Sequence, residues 1–394
     1  MRTRNKHYRI ICIGGGAGGL FFSSLVPGTL LIEKEDRPGR KLLLSGGGMC
    51  NFTHADSADE IITKYYEKRN FVTPAFRAFP PLSIISYFSS LGMKSLTRED
   101  GKVFPASLRA ETVVSTLESC CSEIITECRV EKVTRDDDGM FRLETSDGTL
   151  TCEYLVIATG GLSYPATGST GDGYSFAKAF GHQIIPPSPA LCQIVLKDSL
   201  GDCEGISLSS VTFSLGREKS SGDIVITKKG ISGPAAMNLS RFVTDGSIIR
   251  ISFTAISAEK IKSLPGKQKA VNAVSSAAGL PSRLTEHLLR DIGDKTVSQL
   301  NKKDISLIVS RLTSFTSSCS TAGQLGAATV TRGGVDTSQV DRKTFSSRLA
   351  DKLYFTGEVL DVDGQCGGYN ISFAFAGSFM AAQSIISRLK HPLS

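Results

Sequence analysis

The 394-residue sequence predicts an α/β fold in which one domain is split by a long insert. Three features predict this fold: an apolar strand at 9–13 that enters a glycine cluster and then a helix, an apolar strand at 149–157 that ends in Ala-Thr-Gly-Gly, and a charge-free helix near the carboxyl end that follows another glycine cluster. Between them, the region 189–326 changes texture to short alternating strands followed by helical spacing, which indicates an insert.

The composition is that of a globular chain with reduced cysteines. Hydrophobic residues make up 40% and charged residues 21%, which is enough apolar material for a substantial core. The ten cysteines form no Cys-x-x-Cys pair and have no metal-like spacing with the five histidines, so we predict free thiols, no metal site and a cytoplasmic location. The net charge of +7 permits a weak attraction to polyanions without requiring one.

The amino-terminal unit has the order strand, glycine turn, helix, strand and acid. A helix is predicted to extend from the turn to about Val26, and a second strand at 29–32 ends in Glu33. In a Gly-x-Gly-x-x-Gly turn the first glycine permits the bend, the second lets the backbone approach a pyrophosphate and the third lets the helix pack closely on the sheet. The helix N-terminus then offers free N–H groups to the phosphates. The predicted turn comprises Gly14, Gly15, Gly16, Ala17, Gly18 and Gly19.

The acid at the end of the second strand predicts the type of nucleotide. The carboxylate of Glu33 can accept hydrogen bonds from a ribose and would repel a 2′-phosphate, so the site is predicted to prefer FAD or NAD to NADP. A glycine turn with no ligand is the alternative. The charge-free run 10–32 also resembles a signal peptide or anchor, but its glycines and its proline argue against a spanning helix.

The segment 37–53 is predicted to be a long loop rich in glycine and basic residues. A nicotinamide dehydrogenase has no use for it, whereas in a flavoprotein it can run along the ribityl chain, with basic side chains near the pyrophosphate and backbone amides near the flavin. A flexible surface loop is the alternative, and Cys50 is either a redox thiol or a small packing residue. The predicted cofactor contacts in and beside this loop are Lys34, Arg40, Lys41, Ser45, Gly46, Gly47, Gly48, Cys50 and Asn51.

Glycine clusters in the second half complete a flavin site. The final apolar helix is predicted from about 371 to 389, and its N-terminal N–H groups would point at the N1–C2=O edge of the flavin and favour the reduced, anionic form. A core helix with a glycine entry is the alternative. Val130 is a candidate for main-chain contact with adenine or, equally, a strand-core residue. The other predicted contacts are Thr159, Gly160, Gly161, Gly357, Glu358, Asp363, Gly368, Tyr369, Asn370 and Ile371.

Five runs of sequence resemble the signature of the HI0933-like (YhiN/BaiN-type) flavoproteins, in the same order and along nearly the whole chain. The runs are GRKLLLSGGGMCN at 39–51, GGLSYPATGSTGDG at 160–173, GISGP at 230–234, GGV at 333–335, and GEVLDVDG with GGYN within 357–370. Three positions depart from the family pattern: Met49 stands where Arg is usual, Lys228 where His is usual, and Arg332 where a small residue is usual.

The resemblance implies an FAD-binding Rossmann-like domain of the two-dinucleotide-binding type, split by a long insert with a small β-barrel and a helical part. The expected boundaries are 1–188 with 327–394 for the FAD domain, 189–256 for the barrel and 257–326 for the helical part. The resemblance also implies an FAD oxidoreductase linked to NAD(P)H or oxygen. We expect transiently docked NAD(P)H to reduce FAD, and hydride to pass to an undefined small organic acceptor, for example at a C=C bond, or to oxygen.

The proton donor and the partners are less defined by the sequence. Tyr164 and Lys228 are the candidate proton donors, with surface or structural roles as the alternative. A flavin-dependent RNA-modifying or RNA-binding protein is the rival hypothesis, because 256–312 carries ten Lys and Arg against five Asp and Glu. Few aromatic residues are interleaved there for base stacking, so a nucleic-acid partner is disfavoured, as is a membrane. A non-enzymatic FAD-bound scaffold is a third reading, and no oligomeric state is predicted.

Overall fold

The computed structural model describes residues 6–321 and 325–391. Its chain forms two compact units, one of Met1–Ser188 with Val330–Ser394 and one of Pro189–Thr329. The first is called the FAD unit below and the second the insert unit. The helices in chain order are α1 (Ala17–Leu25), α2 (Arg40–Leu44), α3 (Ala58–Ile62), α4 (Arg69–Ala78), α5 (Pro81–Ser90), α6 (Ala110–Glu118), α7 (Asp172–Ala179), α8 (Pro234–Ser240), α9 (Ala258–Lys262), α10 (Ala270–Ala278), α11 (Ser282–Leu288), α12 (Lys302–Thr313) and α13 (Tyr369–Lys390).

The strands form one sheet of seven, two smaller sheets and a closed barrel. In chain order they are β1 (Lys6–Ile13), β2 (Thr29–Ile32), β3 (Thr53–His54), β4 (Ser95–Thr97), β5 (Lys102–Pro105), β6 (Glu123–Ile125), β7 (Val130–Arg135), β8 (Phe141–Thr145), β9 (Gly148–Ile157), β10 (Ile184–Ala190), β11 (Ile194–Leu196), β12 (Ser207–Leu215), β13 (Glu218–Thr227), β14 (Gly230–Ser232), β15 (Ser247–Ser252), β16 (Phe315–Thr321), β17 (Val330–Val335) and β18 (Leu353–Phe355).

The seven-stranded sheet of the FAD unit has the order β6-β2-β1-β9-β8-β7, with β18 also paired to β9. The strands β2, β1, β9 and β18 run parallel, and their registers place Ile13 beside Ile32 and Ile157, with Phe355 beside Ile157. The inner strands are almost continuously apolar because helices or further strands cover both of their faces. The residues that follow these four strands therefore meet at one edge of the sheet, where ligands of open α/β sheets bind.

The last helix, α13, packs against the first, α1. Phe21 stacks on Phe375 with ring centroids 4.6 Å apart, and the hydroxyl of Ser378 donates to the carbonyl of Gly18 at 2.8 Å. Burial on the α1 side explains why α13 is apolar along most of its length. No helix among residues 6–321 and 325–391 is both long enough and apolar enough to span a membrane.

The insert unit is built around a closed six-stranded barrel with the order β11-β14-β13-β12-β15-β16. The helices α9 to α12 stand in sequence between β15 and β16, and their apolar faces share one core with the barrel interior. The strand β16 lies within 257–326, the range for which the sequence predicts the helical part. The difference arises because the helices interrupt the barrel rather than follow it, a connection that the local hydrophobic pattern does not reveal.

The predicted loop 37–53 differs from the structure in one respect. Arg40 to Leu44 form the short helix α2, which buries Leu42, and a 3₁₀ turn follows it. A helix of one turn and a half presents too few apolar positions for a helical period to appear in the sequence. Arg40 and Lys41 are therefore held on a helix and not on an extended loop.

Candidate FAD site

At Gly14 and Gly19, the first glycine turn lies too close to neighbouring backbone atoms to admit a side chain. Gly14 has φ +102°, and a Cβ built on it would lie 2.7 Å from the carbonyl oxygen of Ala158. A Cβ on Gly19 would lie only 1.9 Å from the carbonyl oxygen of Gly14. Both glycines are therefore required by the packing of β1, β9 and α1, as the pattern predicts.

The packing of the protein itself does not require glycine at position 16. Its φ is −73°, which suits any residue, and no atom lies within 4 Å of a Cβ built on it. Gly16 directly precedes α1, whose first N–H groups have no partner within the helix. An open face at the start of a helix, beside a turn that excludes side chains, has the shape of a phosphate cradle.

Glu33 lies beside this cradle and is fixed by backbone hydrogen bonds. Its two carboxylate oxygens accept from the N–H groups of Gly15 at 2.8 Å and Glu35 at 2.9 Å. Burial raises the pKa of Glu33, and the backbone N–H groups that donate to it act in the opposite direction. Each oxygen retains a further lone pair, so the carboxylate can still accept from ribose hydroxyls.

The second glycine cluster presents three consecutive left-handed residues. Gly46, Gly47 and Gly48 have φ values of +57°, +66° and +85°, and Cβ atoms on the last two would meet no protein atom within 4 Å. Successive amides in such a conformation can point towards one acceptor. The carbonyl of Ser45 accepts from the N–H of Cys50 at 2.9 Å, which closes this turn.

The Cys50 side chain packs in the hydrophobic core of the FAD unit. Its side chain is fully buried, and burial raises the pKa of the thiol to about 12, although Ser45 acts to lower it. The thiol is therefore protonated at neutral pH and is a poor nucleophile. The neighbouring Asn51 is also buried, and its side-chain oxygen accepts from the N–H of Val103 at 3.2 Å.

Each of the three predicted cations of the site is paired with a carboxylate. Lys34 lies 2.5 Å from Asp172, and Lys41 lies 2.7 Å from Glu358. Arg40 forms an ion pair with Glu35 and lies 3.6 Å from Asp36. Because these charges are already matched, the positive character available to a pyrophosphate comes chiefly from backbone N–H groups and the start of α1.

The ion pair between Lys41 and Glu358 belongs to a network that also contains Ser163 and Thr331. The Ser163 hydroxyl lies 2.6 Å from the Lys41 ammonium and 2.8 Å from Glu358, which also accepts from the N–H of Thr331 at 2.8 Å. A Cβ on Gly161 would lie 2.4 Å from the Thr331 hydroxyl oxygen, so glycine is required there. The sequence did not single out Ser163 or Thr331 as site residues, although Ser163 lies within the second signature run.

The turn after β9 contains a buried polar atom without a partner. Among the described residues, the Thr159 hydroxyl has no hydrogen-bond partner and is shielded from solvent. Gly160, with φ +72°, continues the turn at the carboxyl end of β9. Val130 is buried at the first position of β7, where the register shifts before Lys132, which agrees with a strand-core residue. A main-chain contact of Val130 with adenine stays a prediction.

The first turn of α13 meets the segment that follows the second glycine cluster. Gly368 has φ +87°, and a Cβ on it would lie 3.0 Å from both the carbonyl and the side-chain oxygen of Asn51. The Ser372 hydroxyl donates to Thr53 at 2.9 Å. Residues predicted from the early and late parts of the chain are thus brought together around this helix start.

Further hydrogen bonds hold the approach to α13. The buried Tyr65 hydroxyl donates to the carbonyl of Tyr369 at 2.6 Å. The side-chain amide of Asn370 closes the preceding loop, accepting from the N–H of Gly364 at 2.8 Å and donating to its carbonyl at 3.0 Å. Asp363 is buried in this loop, whereas Ile371 is partly buried on the helix.

Gly357 connects this region to the first turn. It has φ +76°, and a Cβ on it would lie 4.0 Å from the Cα of Gly18. Glu358, the next residue, carries the network described above. The early glycine turn and the strand end at β18 are therefore in contact within one unit.

The two candidate proton donors lie in different units. Tyr164 is in the FAD unit, has φ +55°, and is 37% exposed, with the Lys41 ammonium 6.0 Å from its ring centroid. A left-handed tyrosine is uncommon and marks a strained position. Lys228 is an exposed residue in the turn between β13 and β14 of the insert unit. Among the described residues, no group of His, Cys, Asp or Glu could hold a metal ion.

These features suit FAD as the resident cofactor. The open faces at Gly16, Gly47 and Gly48 leave room where an added Cβ would intrude on a ligand, and Thr159 offers an unpartnered hydroxyl in the same unit. Glu33 is placed for a ribose, and the start of α13 offers N–H groups for the electron-rich edge of a flavin.

Comparison with known proteins agrees with this description. Residues 8–384 match the family described as HI0933-like protein Rossmann domain. Ribosomal RNA dihydrouridine synthase of Escherichia coli (strain K12) is 31% identical over 402 residues, which cover 97% of this chain and 99% of that protein. The 3-dehydro-bile acid delta(4,6)-reductase of Clostridium scindens is 28% identical over 410 residues, covering 96% and 99%.

Solved structures share the fold at low sequence identity. The 3-ketosteroid delta1-dehydrogenase from Sterolibacterium denitrificans aligns with a TM-score of 0.54 at 11% identity, covering 97% of this chain and 100% of that one. An E. coli quinol fumarate reductase aligns with a TM-score of 0.53 at 14% identity, covering 100% and 72%. Together with the match over 8–384, these findings show that the chain belongs to the HI0933-like family of FAD-dependent oxidoreductases.

Proposed function

We propose that this protein reduces a carbon–carbon double bond conjugated to a carbonyl group, with NAD(P)H as the source of electrons. The observation that carries the proposal is the chemistry shared by two relatives with dissimilar names. Dihydrouridine differs from uridine by two hydrogens across a C=C bond next to a carbonyl, and a delta(4,6)-reductase acting on a 3-dehydro steroid saturates bonds conjugated to a ketone. One bond type therefore accounts for both activities.

Within the FAD unit, the residues supply position and electrostatics. The turn at Gly14 to Gly19 and the start of α1 are proposed to hold the pyrophosphate, with Glu33 on the adenosine ribose. The amides of Gly46 to Gly48 and the first turn of α13 are proposed to face the flavin ring. FAD held by these residues would supply the two-electron chemistry that couples oxidation of NAD(P)H to reduction of the acceptor.

The acceptor needs a proton as well as a hydride. Addition of hydride to the carbon distant from the carbonyl leaves negative charge on the conjugated system, and a proton must then reach the carbon next to the carbonyl. Tyr164 is the proposed donor in the FAD unit, because its hydroxyl is on a half-exposed side chain beside the Lys41 ammonium. Lys228, on the insert unit, is the alternative donor.

Two acceptors are candidates, a small conjugated ketone and a uracil base within RNA. The RNA candidate is favoured by a specific observation: two relatives named ribosomal RNA dihydrouridine synthase, from E. coli and Haemophilus influenzae, are 31% and 30% identical to this chain over at least 95% of its length.

Anaerobic reduction tests the proposal. Purified protein with its visible flavin spectrum is mixed with NADH or NADPH, and the reduced protein is then mixed with a conjugated steroid dienone or with unmodified ribosomal RNA. We expect bleaching by a nicotinamide and recovery of colour with one acceptor, with product identified by mass spectrometry. A preparation that binds no FAD, or a bound flavin that neither nicotinamide reduces, would refute the proposal.

A pair of tyrosine variants tests the proton donor. Tyr164→Phe is expected to slow acceptor reduction by about 100-fold or more, the usual contribution of a positioned acid, and to leave nicotinamide-dependent bleaching unchanged. Tyr8→Phe is the matched control, because Tyr8 lies near the amino end of β1, away from the edge where the site lies. Equal rates for the two variants would remove Tyr164 from the mechanism.

A further inference from the structure

The positive charge of this protein is concentrated in the insert unit. Residues 189–329 contain 17 Lys and Arg against 11 Asp and Glu, a net charge of +6, whereas the whole chain carries +7. The FAD unit, with nearly twice the residues, is therefore close to neutral. A charge distribution of this kind produces a positive field around one part of the molecule only.

Within the insert unit, five exposed lysines lie on adjoining elements. The helix α9 packs against α12, and the stretch 266–268 is hydrogen-bonded to 297–298 just before α12 begins. The N–H of Ser298 donates to the carbonyl of Gly266 at 3.0 Å, and that of Val297 donates to the carbonyl of Gln268 at 3.0 Å. These elements carry the lysine surface, which we define as Lys260, Lys262, Lys267, Lys302 and Lys303.

The acidic residues nearest to the lysine surface are already paired with other cations. Asp304 lies 2.9 Å from Lys295 and also accepts from the N–H of Asn301, which caps α12. Asp294 lies 2.5 Å from Lys269. On the described parts of α9 and α12, the other carboxylate is that of Glu259, which acts on Lys262, and Glu286 of α11 acts on Lys269.

Two of the five lysines stand where a cation is unfavourable for the helix. Lys302 and Lys303 are the first two residues of α12, a helix of 12 residues, and its N-terminus already carries partial positive charge. Basic residues at this end add to the macrodipole instead of offsetting it. Their presence has no benefit for the stability of α12, but it strengthens the positive potential at that point, which suits a polyanionic ligand.

A cavity at the other end of α12 does not extend this surface. It encloses about 330 Å³ and is lined by Asp198 and Asp202 as well as Arg290 and Arg311. The acidic and basic side chains balance there, so this cavity adds no net positive charge to the lysine surface.

We propose that the lysine surface of the insert unit docks RNA through its phosphate backbone, an inference that rests on the RNA candidate of the proposed function. Ammonium groups on flexible stems bind phosphates without reading sequence, so this surface would supply affinity and the cofactor site would supply selection. An anionic membrane is a poorer occupant. Peripheral helices insert large apolar side chains, and among the described residues α9 to α12 expose none that is large and hydrophobic.

The salt dependence of RNA binding tests the lysine surface. Anisotropy of a fluorescein-labelled ribosomal RNA hairpin is measured with the FAD-loaded protein between 50 and 200 mM salt. Five phosphate contacts at roughly 0.8 counterions each predict a slope of about −4 in log affinity against log salt, a loss of roughly 250-fold over this range. The variant with all five lysines changed to Gln is expected to lose most of this slope and to bind at least tenfold more weakly at 50 mM salt.

A charge-matched variant controls for the change in net charge. Lys94, Lys132, Lys178, Lys343 and Lys390 are exposed residues of the FAD unit, and changing all five to Gln removes the same number of charges. This control should retain the wild-type slope. Bleaching by NAD(P)H and reduction of a steroid dienone should be unchanged in both variants, so that loss of docking is distinguished from loss of the flavin function.

Three outcomes would overturn the inference. They are no RNA binding by the wild-type protein at 50 mM salt, equal weakening in the two five-lysine variants, and tighter binding to phosphatidylglycerol vesicles or to a DNA hairpin of the same sequence than to RNA. Circular dichroism and thermal melting of each variant establish that it is folded before binding is measured.

Discussion

The substitution Gly16→Val tests whether glycine at position 16 is needed for folding or for binding FAD. The backbone at Gly16 has φ −73° and ψ −170°, which a β-branched residue adopts without strain, and no protein atom lies within 4 Å of the position of its Cβ. We therefore expect the FAD-free variant to be within about 0.5 kcal/mol of the FAD-free wild type in its free energy of unfolding. The cost should appear only when FAD is added.

The expected loss of affinity follows from steric intrusion. A side chain placed in the phosphate cradle forces a displacement of the kind that costs about 1–3 kcal/mol in packed sites, which corresponds to a roughly 5- to 150-fold rise in the dissociation constant for FAD. At a free FAD concentration 100 times the wild-type dissociation constant, ligand binding stabilises the wild type by about 2.7 kcal/mol. A variant weakened about 100-fold would gain only about 0.4 kcal/mol.

Two measurements check this prediction. Quenching of flavin fluorescence on binding gives the dissociation constant, and thermal melting with and without FAD gives the ligand-dependent stabilisation. Gly19→Ala is the contrasting variant, since its Cβ would lie 1.9 Å from the carbonyl oxygen of Gly14, and it should fail to fold. Unchanged FAD affinity in Gly16→Val would refute the phosphate role, and a fall of several degrees in the melting temperature without FAD would refute the claim that the position is open.

Three further predictions concern the FAD unit. Tyr65→Phe removes the buried hydroxyl that donates to Tyr369, and it should lower the free energy of unfolding by about 1–2 kcal/mol in urea titrations; no change would mean that water or another donor replaces it. Glu358→Gln leaves the partly buried Lys41 ammonium without a carboxylate and should cost about 2 kcal/mol, whereas a loss under 0.5 kcal/mol would show that the pair is screened like a surface pair. Burial lowers the pKa of His182, so the folded state prefers the neutral ring. The stability that this group contributes is present above pH 6.5 and is lost as the pH falls through the lowered pKa. His182→Gln should therefore flatten that part of the plot of unfolding free energy against pH.

The parts of the fold that were predictable are those with a strong local pattern. The order of β1, α1 and β2, the strand β9 and the extent of α13 follow from apolar runs bounded by glycine. The short helix α2 was not predictable, since one and a half turns show no period. The return of β16 to the barrel after four helices was not predictable either, because strand pairing across an insertion leaves no mark on the local sequence.

At the candidate site, the types of residue could be predicted from the sequence, but the carboxylates that pair with the cations could not. Gly14 and Gly19 stand where a Cβ would collide with backbone atoms, and Gly16 has an open face, as the spacing indicates. The cations Lys34, Arg40 and Lys41 are near the turn but are matched by carboxylates whose positions in the sequence are distant or unremarkable. Which opposite charges meet is decided by tertiary packing, and a single sequence contains no record of it. The roles of these residues towards FAD stay predictions.

The hydrogen bond from Ser378 to the carbonyl of Gly18 has a consequence for biosynthesis. The two residues are separated by nearly the whole chain, so the first helix cannot acquire its final neighbour while the ribosome is still translating the middle of the message. The insert unit, which is continuous in sequence, can complete its own core earlier. During synthesis the face of α1 that packs on α13 thus stays uncovered until the carboxyl-terminal helix emerges.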